Sequence, residues 1–182
     1  MTGQAQARYS LGAIIFHWAI AIAVIVNWRI AEYAEHGTDA EKMAIMANHK
    51  ALGIIILALS VFRLGWRFTH KAPPLAESLA GWEKLLARVV HVIFYVMLIG
   101  LPIGGWLGVS YYGNAVDIFG LFEVPALPVG ENREAGKAVL GLHHEGAEVL
   151  LLLIALHIVG ALKHSFYDKV PSLSRMWVSR QN

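Results

Sequence analysis

The chain alternates between long apolar stretches and short polar connections. Three windows contain no Asp, Glu, Lys or Arg: residues 9–28, 89–116 and 149–162. A helix that crosses a bilayer needs roughly 20 mostly apolar residues. The pattern therefore predicts four membrane-spanning helices, at about Leu11–Tyr33, Met43–Phe68, Glu83–Ser110 and Ala138–Ser165.

The connections between these helices are polar or contain turn-forming residues. Residues 36–39 join the first two helices, and Pro73-Pro74 lies between the second and the third. The third connection, residues 111–137, contains an apolar stretch, Val116–Leu127, that is too short to cross a bilayer and is expected on the membrane surface. No internal repeat or linker interrupts the chain, so we expect one all-α domain over residues 1–182.

Composition excludes several classes of function. Hydrophobic residues make up 57% of the chain and charged residues 15%, whereas a soluble domain carries about 25% charge. The net charge of +2 provides no basic face for nucleic acid. Because the chain contains no cysteine, thiolate metal sites and covalent haem attachment are excluded.

Lysine and arginine are distributed unevenly between the two sides of the predicted bundle. Five lie on the side of the first and third connections: Arg29, Lys42, Lys50, Arg133 and Lys137. The side with both termini has ten: Arg8, Arg63, Arg67, Lys71, Lys84, Arg88, Lys163, Lys169, Arg175 and Arg180. The positive-inside rule therefore predicts that both termini are cytoplasmic.

Nine histidines are an unusual number for a chain so poor in other polar groups. An ionisable side chain inside a membrane helix is a functional candidate by default. His17 lies near the cytoplasmic start of the first helix, and His49 near the outer start of the second. The fourth helix carries both His143, near its outer start, and His157, 14 residues further on.

The four histidines pair by depth. A separation of 14 residues is about 40° short of four full turns, so His143 and His157 share a face about 21 Å apart along the axis. His17 matches the depth of His157, and His49 matches that of His143. Two facing imidazoles fill the two axial positions that a porphyrin leaves on iron. The pattern thus favours two b-type haems stacked across one bilayer.

Three other roles compete with haem ligation for these histidines. A buried histidine is also commonly a packing residue that is hydrogen-bonded to a neighbouring helix. The His143-His144-Glu145 run lacks the His-Glu-x-x-His pattern of zinc proteases, because position 148 is Glu. A proton-relay transporter would need acids in the middle of its spans, and these spans have none.

With these features the chain resembles the bacterial cytochrome b-561 family of small diheme, four-helix inner-membrane cytochromes. The resemblance covers essentially the whole chain. It is carried by Tyr9-Ser10, Phe16-His17-Trp18, Asn48-His49, Gly53, Arg63, Arg67, His91, Tyr95, Leu101-Pro102-Ile103-Gly104, His143 and Leu156-His157.

The resemblance implies that His17 and His157 ligate one haem b and that His49 and His143 ligate the other. His144 is an alternative to His143, but only the 14-residue spacing keeps a ligand on the face of His157. The resemblance also implies an oxidoreductase of the inner membrane that exchanges electrons with ubiquinone. Superoxide, oxidised to dioxygen at the outer face, is the implied partner.

Supporting roles are predicted for three further residues. Lys50, beside His49, is a candidate to hold an outer haem propionate or to attract a small anion such as superoxide. His164, two turns below His157, is a candidate for an inner propionate. His91, with Tyr95 one turn away, is a candidate for a quinone pocket, or else a packed histidine. Interfacial snorkelling accounts equally well for Lys50 and His164.

The sequence is also compatible with a second function. The chain can also be a cytochrome subunit that passes electrons between the quinone pool and a partner protein such as a hydrogenase. Such a subunit needs a docking surface, and the short tails supply little.

Overall fold

Four long helices form the framework of the protein. The computed structural model describes residues 8–76, 78–170 and 172–177. The helices are α1 (Leu11–Ala34), α2 (Asp39–Thr69), α3 (Gly81–Ser110) and α4 (Arg133–Leu162). A π-helical turn, Lys163–Tyr167, continues α4, and a 3-10 turn, Ser174–Met176, follows.

All four helices are long and apolar enough to cross a membrane, which confirms the predicted four-helix membrane fold. Large apolar side chains lie on their outer surfaces, such as Ile22, Val96 and Leu152, each at least 60% exposed. Exposed apolar surface of this extent is typical of helices that face lipid. Both described ends of the chain lie at one end of the bundle, because Trp18 near the start of α1 donates a hydrogen bond to the Met176 carbonyl.

Polar side chains cap the starts of the helices. The Ser10 hydroxyl accepts a hydrogen bond from the Ala13 N–H at the start of α1, and Asn132 Oδ1 accepts one from Ala135 N–H at the start of α4. Thr38 and Glu41 form a reciprocal capping box, which satisfies two otherwise unpaired N–H groups. The box starts α2 four residues before the predicted Met43, and Asn132 starts α4 five residues before the predicted Ala138.

The connection between α3 and α4 folds back onto the bundle. Two short antiparallel strands, β1 (Val116–Asp117) and β2 (Glu123–Val124), form a hairpin. Val116 and Ile118 are buried against Ala51 of α2. The Ser110 hydroxyl accepts a hydrogen bond from Leu127 N–H. The expected surface segment therefore has one face packed on the helices, and its aromatic tip is exposed at Phe119 and Phe122.

Close packing joins helices that follow each other in sequence: α1 with α2, α2 with α3 and α3 with α4. Among the described residues, α4 is not closely packed against α1 or α2. Imidazole rings instead face each other across these two gaps. We call the end of the bundle that holds both chain ends the inner end and the opposite end the outer end.

Candidate functional site

The outer end holds one facing pair of imidazoles, which we call the outer pair. His49 on α2 and His143 on α4 have ring centroids 6.0 Å apart, with their planes at 85°. Both side chains are half-buried. The structure therefore brings together two residues that are 94 positions apart in sequence.

Backbone carbonyls orient both rings of the outer pair. His49 Nδ1 lies 3.2 Å from the Asn27 carbonyl oxygen, and His143 Nδ1 lies 2.8 Å from the Leu101 carbonyl oxygen. Because a carbonyl can only accept, each Nδ1 carries the proton. Each Nε2 then keeps its lone pair, which is the form of histidine that binds a metal.

The two members of the His143-His144 doublet have different surroundings. The ring of His143 lies against Gly105, where an added Cβ would be 3.1 Å from Cε1. The side chain of His144 is 78% exposed, and its Nε2 lies 3.5 Å from the Glu148 carboxylate. Only His143 faces His49.

The inner end holds three imidazoles, which we call the inner cluster. His157 on α4 has its ring centroid 6.3 Å from that of His17 on α1 and 6.1 Å from that of His91 on α3. Phe94 also contacts His157, at a centroid distance of 5.3 Å. His157 therefore has two candidate partners at similar distances. The pairing by depth in the sequence analysis included only His17.

A cation lies directly beside the inner cluster. Arg63 Nη2 is 3.2 Å from His17 Nδ1, and the guanidinium carbon is 5.7 Å from the centre of the Tyr95 ring. A guanidinium only donates hydrogen bonds. His17 Nδ1 therefore accepts this hydrogen bond and the ring proton lies on Nε2, the opposite of the outer pair. For Nε2 of His17 to bind iron, the ring must give up this contact and carry its proton on Nδ1.

An apolar layer separates the two histidine levels. Its buried side chains are Ile20, Val24, Ile56, Leu98 and Leu150. Leu150 stands midway between His143 and His157 on α4. Each histidine level is thus a separate polar site, and water is excluded between them.

The spacing of the rings fits bis-histidine ligation of a haem iron. Histidine nitrogens bind transition metals at about 2.0–2.1 Å, so two imidazoles on one metal have centroids about 6.2–6.4 Å apart. The observed separations are 6.0 Å for the outer pair, and 6.3 and 6.1 Å in the inner cluster. Haem ligation by these residues stays a prediction.

The glycine beneath His143 provides a test of the outer pair. In Gly105→Ala the new Cβ would lie 3.1 Å from His143 Cε1 and 3.3 Å from Nδ1, so the ring must move by a few tenths of an ångström, which disturbs its 2.8 Å contact with the Leu101 carbonyl. We expect haem at this level to bind roughly tenfold more weakly, as for other losses of support to a metal ligand. Haem transfer to apomyoglobin measures the change.

Gly104→Ala is the matched control, because an added Cβ there meets no atom within 4 Å. It should retain haem as the unmodified protein does. Equal loss of haem from both variants would show that a general change in α3 packing, and not the contact with His143, is responsible.

The predicted propionate residues lie in different settings. Lys50 is half-buried beside His49. His164 Nδ1 is 2.6 Å from Asp168 Oδ2, and Lys163 forms ion pairs with both Asp168 and Glu83. The hydrogen bond from Lys163 is the largest cause that holds the pKa of Asp168 below its usual range.

Ligand atoms of Glu83, His164 and Asp168 lie within 4.8 Å of one another. The ammonium group of Lys163 already bridges the two carboxylates. It supplies the positive charge that a metal ion would otherwise bring. We therefore interpret this cluster as an ion-pair network that ties the start of α3 to the end of α4.

Comparison with known proteins identifies the family. Residues 8–178 match the family described as prokaryotic cytochrome b561. The chain belongs to the prokaryotic cytochrome b561 family. It is therefore a membrane cytochrome b that takes part in electron transfer. Membership of this family implies that it binds b-type haem.

Relatives match along almost their whole length. Cytochrome b561 homolog 2 of Escherichia coli K12 is 30% identical over 174 residues, which cover 93% of this chain and 90% of the relative. A probable superoxide oxidase CybB of Yersinia pestis is 28% identical, with 93% and 95% covered. Cytochrome b562 of Cereibacter sphaeroides is 26% identical, with 92% and 94% covered.

Sequence reasoning missed several groups around the histidines of this cytochrome. The carbonyls of Asn27 and Leu101 have no side-chain signature and could not be found. Arg63 and Gly105 had weak signals: a charge within an apolar helix, and one glycine among several. Arg63 entered through the count of cations and the family resemblance, with no contact assigned to it.

Proposed function

We propose that this protein is a diheme cytochrome b that carries electrons from the outer side of the bacterial inner membrane to ubiquinone at the inner end. The observation that carries the proposal is the pair of facing-imidazole sites at two depths of one bundle. His49 with His143 and His17 with His157 are the proposed axial ligands. Bound haem iron would supply a one-electron couple at each site.

The residues around each site have distinct tasks in this proposal. The Asn27 and Leu101 carbonyls hold the outer rings in the tautomer that leaves Nε2 free to ligate. The apolar layer around Leu150 keeps water from the path between the two sites. His143 and His157 set the separation of the sites, at about 21 Å along α4.

Superoxide is the proposed outer donor. The support comes from the family resemblance and from the printed name of the Yersinia pestis relative. Two superoxide anions would each give one electron and leave as dioxygen, while one ubiquinone takes two electrons and two protons to become ubiquinol. His91 and Tyr95, at the inner cluster, are the proposed quinone contacts.

The proposal also includes the orientation of the bundle in the membrane. The excess of lysine and arginine at the inner end supports a cytoplasmic location for both termini. The outer pair then lies near the face where a small anion arrives. Lys50 is the cation next in sequence to a proposed outer ligand.

Charge reversal at Lys50 tests the proposed donor. Local positive charge steers a small anion, and salt weakens such steering because the Debye length is only about 10 Å at 0.1 M. We expect Lys50→Glu to slow haem reduction by superoxide several-fold and to flatten its salt dependence. Reduction by ubiquinol, which is neutral, should change little. Stopped-flow absorbance with each donor at two ionic strengths measures both rates.

Lys71→Glu is the control, since it makes the same charge change just beyond the other end of α2, about 30 Å away. It should leave both rates close to those of the unmodified protein. If Lys50→Glu slows both donors alike, Lys50 supports the haem and does not steer superoxide. Failure of superoxide to reduce the unmodified protein would refute the proposed donor.

A further inference from the structure

An open groove runs between α1 and α2 near the outer end of the bundle. Its volume is about 430 Å³, and its lining is largely apolar, including Ile25 and Val26 of α1. These two side chains are 40% and 45% exposed. Both helices are long and apolar enough to cross a membrane. The groove is therefore an apolar surface at membrane depth that no other part of the described chain covers.

The groove lies on the side of α1 that faces away from the inner cluster. Val26 is nine residues after His17, which places it about 180° around the helix. Ile22, one turn before Val26 on the same side, is 61% exposed. A haem held between the facing imidazoles would therefore not fill this groove, and lipid has direct access to it.

Arg29 supplies the only charge among the residues that line the groove. It directly follows the charge-free window 9–28, and its guanidinium carbon lies 5.4 Å from the centre of the Trp28 ring. Tryptophan at the end of an apolar span is typical of the level of lipid headgroups. In the part of the chain that the structure describes, no ion pair joins Arg29 to Glu32 or to another acid.

Two neutral polar side chains, Tyr33 of α1 and Asn48 of α2, line the groove together with Arg29. Both are exposed, and a phenol and an amide can each donate a hydrogen bond. Ile25 and Val26 lie about one turn deeper in the membrane than Arg29. The groove thus has hydrogen-bond donors and a cation at one level and an apolar surface below it.

We infer that this groove binds one anionic phospholipid from the leaflet at the outer end, with the phosphate on Arg29 and an acyl chain along Ile25 and Val26. A guanidinium binds phosphate oxygens through charge-assisted hydrogen bonds. An anionic headgroup is favoured over a zwitterionic one because the lining has a cation and no acid to match a second charge. The inference does not depend on the proposed diheme function.

Native mass spectrometry of the purified, haem-loaded protein tests the inference. Dioleoyl phosphatidylglycerol and dioleoyl phosphatidylcholine are added in equal amounts, since they share their acyl chains and differ in having an anionic or a zwitterionic headgroup. The unmodified protein should preferentially retain one phosphatidylglycerol. Arg29→Gln should weaken this retention about fivefold, the usual effect of one cation at a membrane surface. Haem per chain should stay unchanged.

Matched variants separate the groove from the rest of the surface. Arg133→Gln removes the same charge at an exposed position at the start of α4 and should retain phosphatidylglycerol as the unmodified protein does. Val26→Trp fills the apolar part of the groove and should reduce retention of both lipids. Val96→Trp, at a position on α3 that is 66% exposed, should not.

Four results would overturn the inference. Equal retention of both lipids by the unmodified protein, or unchanged retention in Arg29→Gln, would remove the anionic site. A dimer that persists without lipid and is lost in Val26→Trp would assign the groove to a second copy of the chain. Displacement of phosphatidylglycerol by ubiquinone would assign it to quinone. Loss of haem from Arg29→Gln would show that Arg29 holds a haem propionate instead.

Discussion

Replacing His157 by alanine is expected to remove the inner haem and leave the outer haem in place, while His143→Ala should do the reverse. Each residue belongs to a different level, and the apolar layer around Leu150 separates the two. Loss of one axial imidazole leaves a haem with a single protein ligand and an open iron position. A pyridine haemochrome assay should give two haems b per unmodified chain and about one in each variant.

Spectra distinguish which haem each variant loses. Both haems of the unmodified protein should be low spin, because two imidazoles give a strong axial field. The two variants should retain different α-band components, which together account for the spectrum of the unmodified protein. Loss of both haems in either variant, with the helical circular dichroism retained, would contradict independent sites.

His144→Ala is the matched control for His143→Ala. The His144 side chain is 78% exposed and faces Glu148, so its removal should leave both haems in place. If His144→Ala loses the outer haem and His143→Ala retains it, His144 is the ligand. The ring geometry at Gly105 would then have to change on haem binding.

The partner of His157 is decided by a second pair of variants. We expect His17→Ala to lose the inner haem and His91→Ala to retain both haems, because the family resemblance assigns the ligand role to His17. The centroid distances of 6.3 and 6.1 Å do not distinguish the two residues. Haem per chain, measured in both variants, gives the answer.

A further readout tests the role proposed for His91. If this residue contacts quinone, His91→Ala should slow haem reduction by ubiquinol while keeping the haem content at two. Reduction by dithionite serves as the control for access to the iron and should be unchanged. Loss of a haem from His91→Ala, with both haems retained in His17→Ala, would make His91 the ligand.

Much of the fold followed from the pattern of apolar residues. The charge-free windows at residues 9–28, 89–116 and 149–162 all lie within or across long helices of the structure. The start of α2 was wrong by four residues, because the Thr38–Glu41 capping box extends the helix beyond its apolar part. The strands of the hairpin after α3 were not predicted, because each contains only two residues.

The sequence by itself determined the four helices and the depth of each histidine. Helical rise and rotation per residue are constant, so the spacing of His143 and His157 already implies two sites on one face. Residue counts along two helices likewise match His17 with His157 and His49 with His143 in depth. No tertiary contact is needed for these deductions.

Only the tertiary structure decided what surrounds each ring. Contacts between His49 and the Asn27 carbonyl, or between Arg63 and His17, depend on the rotation and approach of neighbouring helices. Packing between α1 and α2 sets them, for example where Gly12 lies against Trp66. The third imidazole of the inner cluster, His91, came within 6.1 Å of His157 for the same reason. Depth follows from counting residues along one helix, whereas the partner of a side chain depends on how several helices pack together.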